Sequence, residues 1–164
     1  MPTNRMRNSI RATAAALVVA MILPLAVSAA WPVANRYSYI SQGWHKGHYA
    51  NDIASYSGTR IVPMRSGKVV FAGWKSNCGG YQVWVWHGNG LFSAYYHMRS
   101  VAVKKGQYVT KEQTTLGRVG ETGCATGPHV HFEVWKNRPW SSGSYRMRPW
   151  RYIDGGTFFP YRYR

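Results

Sequence analysis

Acidic residues are scarce in this chain: five Asp and Glu stand against 21 Lys and Arg in 164 residues. The resulting formal net charge of +16 draws polyanions, whether nucleic acid, anionic lipid head groups or acidic cell-wall polymers. Cysteine is limited to Cys78 and Cys124. One widely separated pair lacks the spacing of a zinc knuckle, which favours a single disulfide formed in an oxidising compartment over unlinked thiols or a thiolate metal site. After residue 27 no long stretch has helical periodicity and no internal repeat recurs, which argues against a fold built from helices.

What is present at the start is a leader. Arg5, Arg7 and Arg11 precede an apolar run from Ala12 to Val27, and Ser28, Ala29 and Ala30 follow. The order of basic, apolar and small residues reads as a secretory signal peptide over residues 1–30. An uncleaved membrane anchor is the alternative, but the run is shorter than the roughly 20 residues that span a bilayer, and Pro24 interrupts it. Cleavage after Ala29 or Ala30 leaves 18 basic residues against 5 acidic ones, so the exported chain keeps its cationic character.

From Trp31 onward short β-rich runs alternate with glycine. "GKVVFAGW" (67–74) is one, and "YQVWVWH" (81–87) sends Gln82, Trp84 and Trp86 to one face and Tyr81, Val83, Val85 and His87 to the other. The Asn-Gly turn in "HGNG" predicts that "LFSAYYHM" (91–98) returns as its hairpin partner. "GQYVT", "TLGRVG" and "HVHFEVW" supply further strands, and the expected fold is an all-β, antiparallel domain over residues 31–136. Residues 137–164 differ in composition, with six arginines, eight aromatics and one aspartate. They are too few to bury a core of their own, so they form either a wrap over the domain or a cationic-aromatic arm.

Two stretches carry chemistry. In "TGPHVHFEVW", His129 and His131 share one face of a strand, opposite Val130 and Phe132. Two imidazoles on one face suit a metal, or a metal and a proton carrier; alone, such a pair is as readily structural. Upstream, "HYAND" places Asp52 four residues after His48. Catalytic zinc takes three ligands from His, Asp and Glu and keeps a fourth position open. The bland alternative makes Asp52 a turn cap and His48 a surface residue.

Taken together, "GHYANDIA", "SGTRIVPMRSGKVVFAGW", "VWHGNGLFSAYYHM", "GQYVTKEQTTLGRVGETG" and "TGPHVHFEV" resemble the lysostaphin-type zinc peptidases of the LytM family, class M23, in unbroken order from about His45 to Trp135. The resemblance implies one Zn2+ held by His48, Asp52 and His131. It also implies that His97 and His129 flank the attacking water and the scissile carbonyl, one as base and one as oxyanion support, without saying which does which. It implies hydrolysis of peptide cross-links or bridges in bacterial peptidoglycan, outside the cytoplasm, by a monomer.

The remaining histidines are expected elsewhere. His87 reads as structural, and His45 as exposed, because four residues beyond it stands Tyr49 rather than a carboxylate. Ala50 stands where the family commonly has glycine, a mild change unless that position needs a positive φ. A Cys78–Cys124 bridge would tether the loop leading into the catalytic strand. Trp44, Tyr49, Tyr56, Trp74, Tyr95 and Tyr96 are candidates for the walls of a groove, or for ordinary packing. Two other functions compete. A secreted cationic wall-binding or regulatory module without hydrolysis would not need the intact histidine-aspartate set. Nucleic-acid binding would fit the charge, but no specific motif for it is present and an exported chain meets little nucleic acid.

Overall fold

A computed structural model describes residues 30–153; residues 1–29, all but the last of the expected leader, and residues 154–164 lie outside that range. Among the described residues ten strands follow one another: β1 (Tyr39–Gln42), β2 (Asn51–Ala54), β3 (Arg60–Ile61), β4 (Gly67–Lys75), β5 (Gly80–Trp86), β6 (Leu91–Val101), β7 (Tyr108–Val109), β8 (Gly117–Val119), β9 (His129–Lys136) and β10 (Tyr145–Met147). A 3-10 turn, Pro149–Arg151, closes the series. The expected all-β class is what forms, and every strand pairing is antiparallel.

The sheet runs β1-β2-β9-β6-β5-β4-β7. The expected hairpin is present: β5 pairs with β6, and Gly88, Asn89 and Gly90 all adopt positive φ in the turn. Glycine and asparagine accept that left-handed backbone at low cost. One edge of β9 is shared. β2 pairs with its first half and β10 with its second, so the chain after residue 136 returns to extend the sheet. Ile153 then reaches the main core at 2% exposure. The described part of the arginine-rich segment is thus a wrap, not a free arm.

Alternation sorts the side chains. Val130, Phe132 and Val134 of β9, Val83 and Val85 of β5, and Tyr95 of β6 fill one core with Ile40, Ile53 and Leu116. Burying a side chain of this size contributes about 1.5–3 kcal/mol, so these residues fix which face of each strand turns inward. The opposite face of the sheet carries a smaller cluster of Trp84, Ala94, Tyr96 and Trp135. His129, His131 and Glu133 alternate onto that second face, beside the cluster and away from the main core.

Candidate metal and catalytic centre

The β2–β9 ladder sets Asp52 directly opposite His131 and Ala54 opposite His129. Cross-strand partners share a face at Cβ separations of about 4.5–5.5 Å, which brings carboxylate and imidazole together without any loop. Nδ1 of His131 lies 2.8 Å from Oδ1 of Asp52. His48 enters from the β1–β2 connection, where reciprocal backbone bonds between His45 and His48 make a tight turn and Gly47 supplies φ +90°. Its Nε2 lies 3.2 Å from Oδ2 of Asp52. One ligand atom from each of His48, Asp52 and His131 lies within 4.8 Å of the other two.

These residues fit a metal ion. Nδ1 of His48 donates to the carbonyl of Gly43 at 2.9 Å, so Nε2 carries the lone pair. That Nε2 is buried and has no hydrogen-bond partner, and the Asp52 contact lacks hydrogen-bond geometry. A buried, orphaned lone pair aimed at a carboxylate and a second imidazole is costly unless a cation satisfies it. Zinc bonds of roughly 2.0–2.2 Å put ligand atoms on the order of 3–3.5 Å apart; His48 stands 3.2 Å from Asp52 on that scale, and His131 is closer at 2.8 Å because it hydrogen-bonds the carboxylate directly.

The electrostatics follow from Asp52 as the hub. Burial alone would raise its pKa, but the hydrogen bond from His131 and the charges of His131, His48 and His129 outweigh it and hold the carboxyl below its ordinary value. Burial would lower His131; bonds to Asp52 and Glu133 and the charges of both raise it instead to about 9. Without a metal, His131 is therefore an imidazolium, and a cation held by this corner would take the place of its Nδ1 proton.

His97 and His129 stand beside this corner. Their ring centroids are 4.8 Å apart, and His97 lies 5.8 Å from His131. Each ring is fixed through Nδ1, His97 to the carbonyl of Thr122 at 2.8 Å and His129 to the carbonyl of Gly127 at 2.9 Å. Nε2 is left for chemistry in both; that of His129 lies 3.8 Å from Oδ1 of Asp52. Burial, aided by the charges of His129 and His131, lowers the His97 pKa to about 4, so this ring is neutral at physiological pH.

A bulge puts His97 there. Tyr95 and Met98 are both fully buried in the main core, yet Tyr96 and His97 both serve the other face. Strict alternation forbids two consecutive residues on one face. β6 carries an extra residue against β5, where Tyr81 pairs with Met98 but Val83 with Tyr95, and His97 takes φ 60°. Such bulges re-aim a side chain.

Glu133 escaped the reading of the sequence. It continues the His129–His131 face by the same two-residue step, is 3% exposed, and places Oε1 3.4 Å from Nε2 of His131. Oε2 accepts from the Tyr96 hydroxyl and from Nε1 of Trp135, both at 2.7 Å. Burial would raise its pKa, but the bond and charge of His131 and the charge of Arg146 hold it below the ordinary value. Metal-binding histidines usually give their second ring N–H to a carboxylate, which orients the ring.

The other residues singled out divide. His45 is exposed, and His87 is structural, bridging the Ser66 carbonyl and the Ser93 hydroxyl. Ala50 is buried with no positive φ. Cys78 and Cys124 are joined. Trp44 and Tyr49 line an outer groove of about 530 Å³, and Tyr96 an inner one of about 180 Å³ beside His97 and His131. Tyr95 is in the core, Tyr56 lines a separate hollow, and Trp74 packs edge-on against Tyr81, so these three wall neither groove.

Comparison with known proteins agrees with this arrangement. The model of peptidase family M23 matches residues 46–142, more than half of the chain. Lysostaphin of Staphylococcus simulans is 38% identical over 87 residues, covering 52% of this chain and 17% of that protein. The peptidoglycan DD-endopeptidase ShyA of Vibrio cholerae is 38% identical over 87 residues, covering 53% and 20%. The chain thus spans a fifth or less of these curated relatives. Among solved structures, the antimicrobial peptidase lysostaphin from Staphylococcus simulans superposes with a TM-score of 0.65 at 30% identity, covering 75% of this chain and 55% of that one. A family match of this extent, repeated in a shared fold, settles membership: the chain belongs to peptidase family M23.

Proposed function

We propose that this protein is a zinc-dependent endopeptidase that hydrolyses peptide cross-links or bridges of bacterial peptidoglycan at or beyond the cell envelope. The convergence of His48, Asp52 and His131, with the orphaned Nε2 of His48 aimed into it, is the observation that carries the reading. The names of the relatives, a lysostaphin and a DD-endopeptidase, supply the substrate class.

Zinc, when bound, supplies Lewis acidity toward a carbonyl oxygen and toward water. The chain's own groups do the rest. His97 and His129, each fixed through Nδ1, present Nε2 to the reacting atoms. In the neutral form that nitrogen accepts a proton from attacking water; once protonated it donates to the developing oxyanion or the leaving amine. The inner groove beside His97 and His131 receives the peptide. The cationic composition supports contact with anionic wall polymers, and the disulfide and the leader support export.

The test is release of peptide fragments from purified peptidoglycan, abolished by a chelator and restored by zinc. Binding to walls with no fragment released under any metal condition would replace this reading with that of a wall-binding module.

A further inference from the structure

Arg146 lies on β10, beyond the residues that match the family. Its guanidinium lies over two touching indoles, with Cζ 4.4 Å from the ring centre of Trp135 and 4.5 Å from that of Trp140, themselves 5.4 Å apart. Its Nε donates to Oε1 of Glu133 at 2.6 Å, the same oxygen that faces Nε2 of His131. Trp140 in turn donates to the Tyr96 hydroxyl at 3.3 Å, which donates to the other carboxylate oxygen. The segment after residue 136 thus reaches a metal-facing imidazole through one intermediate side chain.

The position has an electrostatic logic. Glu133 is 3% exposed, and a buried carboxylate needs a compensating cation. Among the groups hydrogen-bonded to Glu133, Arg146 is the one whose positive charge is permanent. Arg146 also fixes where Oε1 sits, because contact with both indoles and the bond to Glu133 leave its planar fork little freedom.

We propose that Arg146 is a positioning residue of the zinc centre. It anchors Glu133, Glu133 holds the Nε2–H of His131, and Nδ1 is thereby kept facing Asp52 and His48. β10 and the Trp140 loop are part of the metal site. This rests on the zinc reading above, but its test reads metal affinity and not hydrolysis.

Zinc affinity is measured by competition with a chromophoric chelator for the parent, Arg146→Met, Arg146→Lys, Glu133→Gln and the double variant Arg146→Met/Glu133→Gln. Loss of such a supporting partner typically weakens metal binding about 10–100-fold. Arg146→Met and Glu133→Gln should each fall in that range, and Arg146→Lys, which keeps the charge without the stacked fork, should fall between parent and Arg146→Met. The double variant should be no worse than the weaker single, because both act through one contact. Affinity within twofold of the parent for Arg146→Met, or penalties that simply multiply in the double variant, would overturn the proposal and leave Arg146 as glue for the tail. Should Arg146→Met not fold, Arg146→Lys carries the same comparison, and an unchanged affinity there would be equally decisive against it. A parent that binds zinc tightly but cuts no wall would sink the peptidase reading and leave this one standing; a parent that binds no zinc would sink both.

Discussion

The carbonyl of Thr122 accepts Nδ1–H of His97 at 2.8 Å, and Thr122 stands two residues before Cys124, which is bonded to Cys78. The backbone N–H of Cys124 also donates to the Cys78 carbonyl, and that of His97 to the Gly79 carbonyl. The disulfide therefore staples together both segments that orient one imidazole, while His48, Asp52 and His131 are set by other contacts.

That separation predicts a split phenotype. Cys78→Ala/Cys124→Ala should lose up to about 4 kcal/mol of stability from loop closure, together with a lower kcat, while zinc affinity stays near that of the parent. Denaturant titration, peptide-release kinetics and chelator competition read the three quantities. Parental kcat in the variant would show that the staple is unconnected to His97.

Ligand and proton carrier should separate in the same way. His131→Ala removes the imidazole nearest Asp52 and should abolish both zinc binding and turnover. His129→Ala and His97→Ala should retain zinc, measured by elemental analysis after dialysis, yet lose about 10²–10⁴ in kcat. Either variant hydrolysing wall at the parental rate would remove that histidine from the chemistry.

Zinc uptake should release a proton. Metal-free His131 titrates at about 9 because Asp52 and Glu133 hold its proton. Below that pH the ion competes with the proton, so apparent affinity should rise about tenfold per pH unit and level off near pH 9. Calorimetry at pH 7 in buffers of different ionisation enthalpy should give about one proton released per zinc. A value near zero would contradict the assignment of Nδ1 as ligand.

The metal-free fold should be labile in acid through His87, with His97 adding in the same window because its pKa is also lowered to about 4. Burial, with the charge of Arg65, lowers the His87 pKa to about 4 despite the bond to the Ser66 carbonyl. In the unfolded chain it titrates near 6.5, so between pH 6.5 and 4 the unfolded state binds more protons and stability falls as pH falls. The full loss through His87 is about 3 kcal/mol. His131 works in the opposite direction, its contribution fading only as pH rises through about 9. Urea titrations from pH 7 to 4 should show the acid slope in the parent, diminished by about one proton in His87→Gln. An identical slope in both would place the acid lability elsewhere.

Much of the site was legible because it follows the two-residue step of a strand. His129 and His131 share a face in the sequence as they do in the sheet, and the Asn-Gly turn named its own hairpin. Glu133 was legible by the same step, but its value depends on Arg146, which arrives thirteen residues later on a strand too short to stand out. His97 was reachable only through family likeness, since alternation from Tyr95 sends it into the core. A single inserted residue in β6, invisible in composition, reverses that. Tyr95 and Tyr96 show the same limit: adjacent and chemically alike, one is core and the other lines the inner groove.

The facing of Asp52 and His131 across one ladder has a consequence for how the chain reaches its native state. If β2 slid by a single residue along β9, its carboxylate would swing to the apolar side and the ion-holding corner would vanish. A divalent ion arriving during folding would thus act as a proofreader of strand alignment, rewarding one pairing among its near neighbours. Metal supply would then govern how many chains reach the correct pairing.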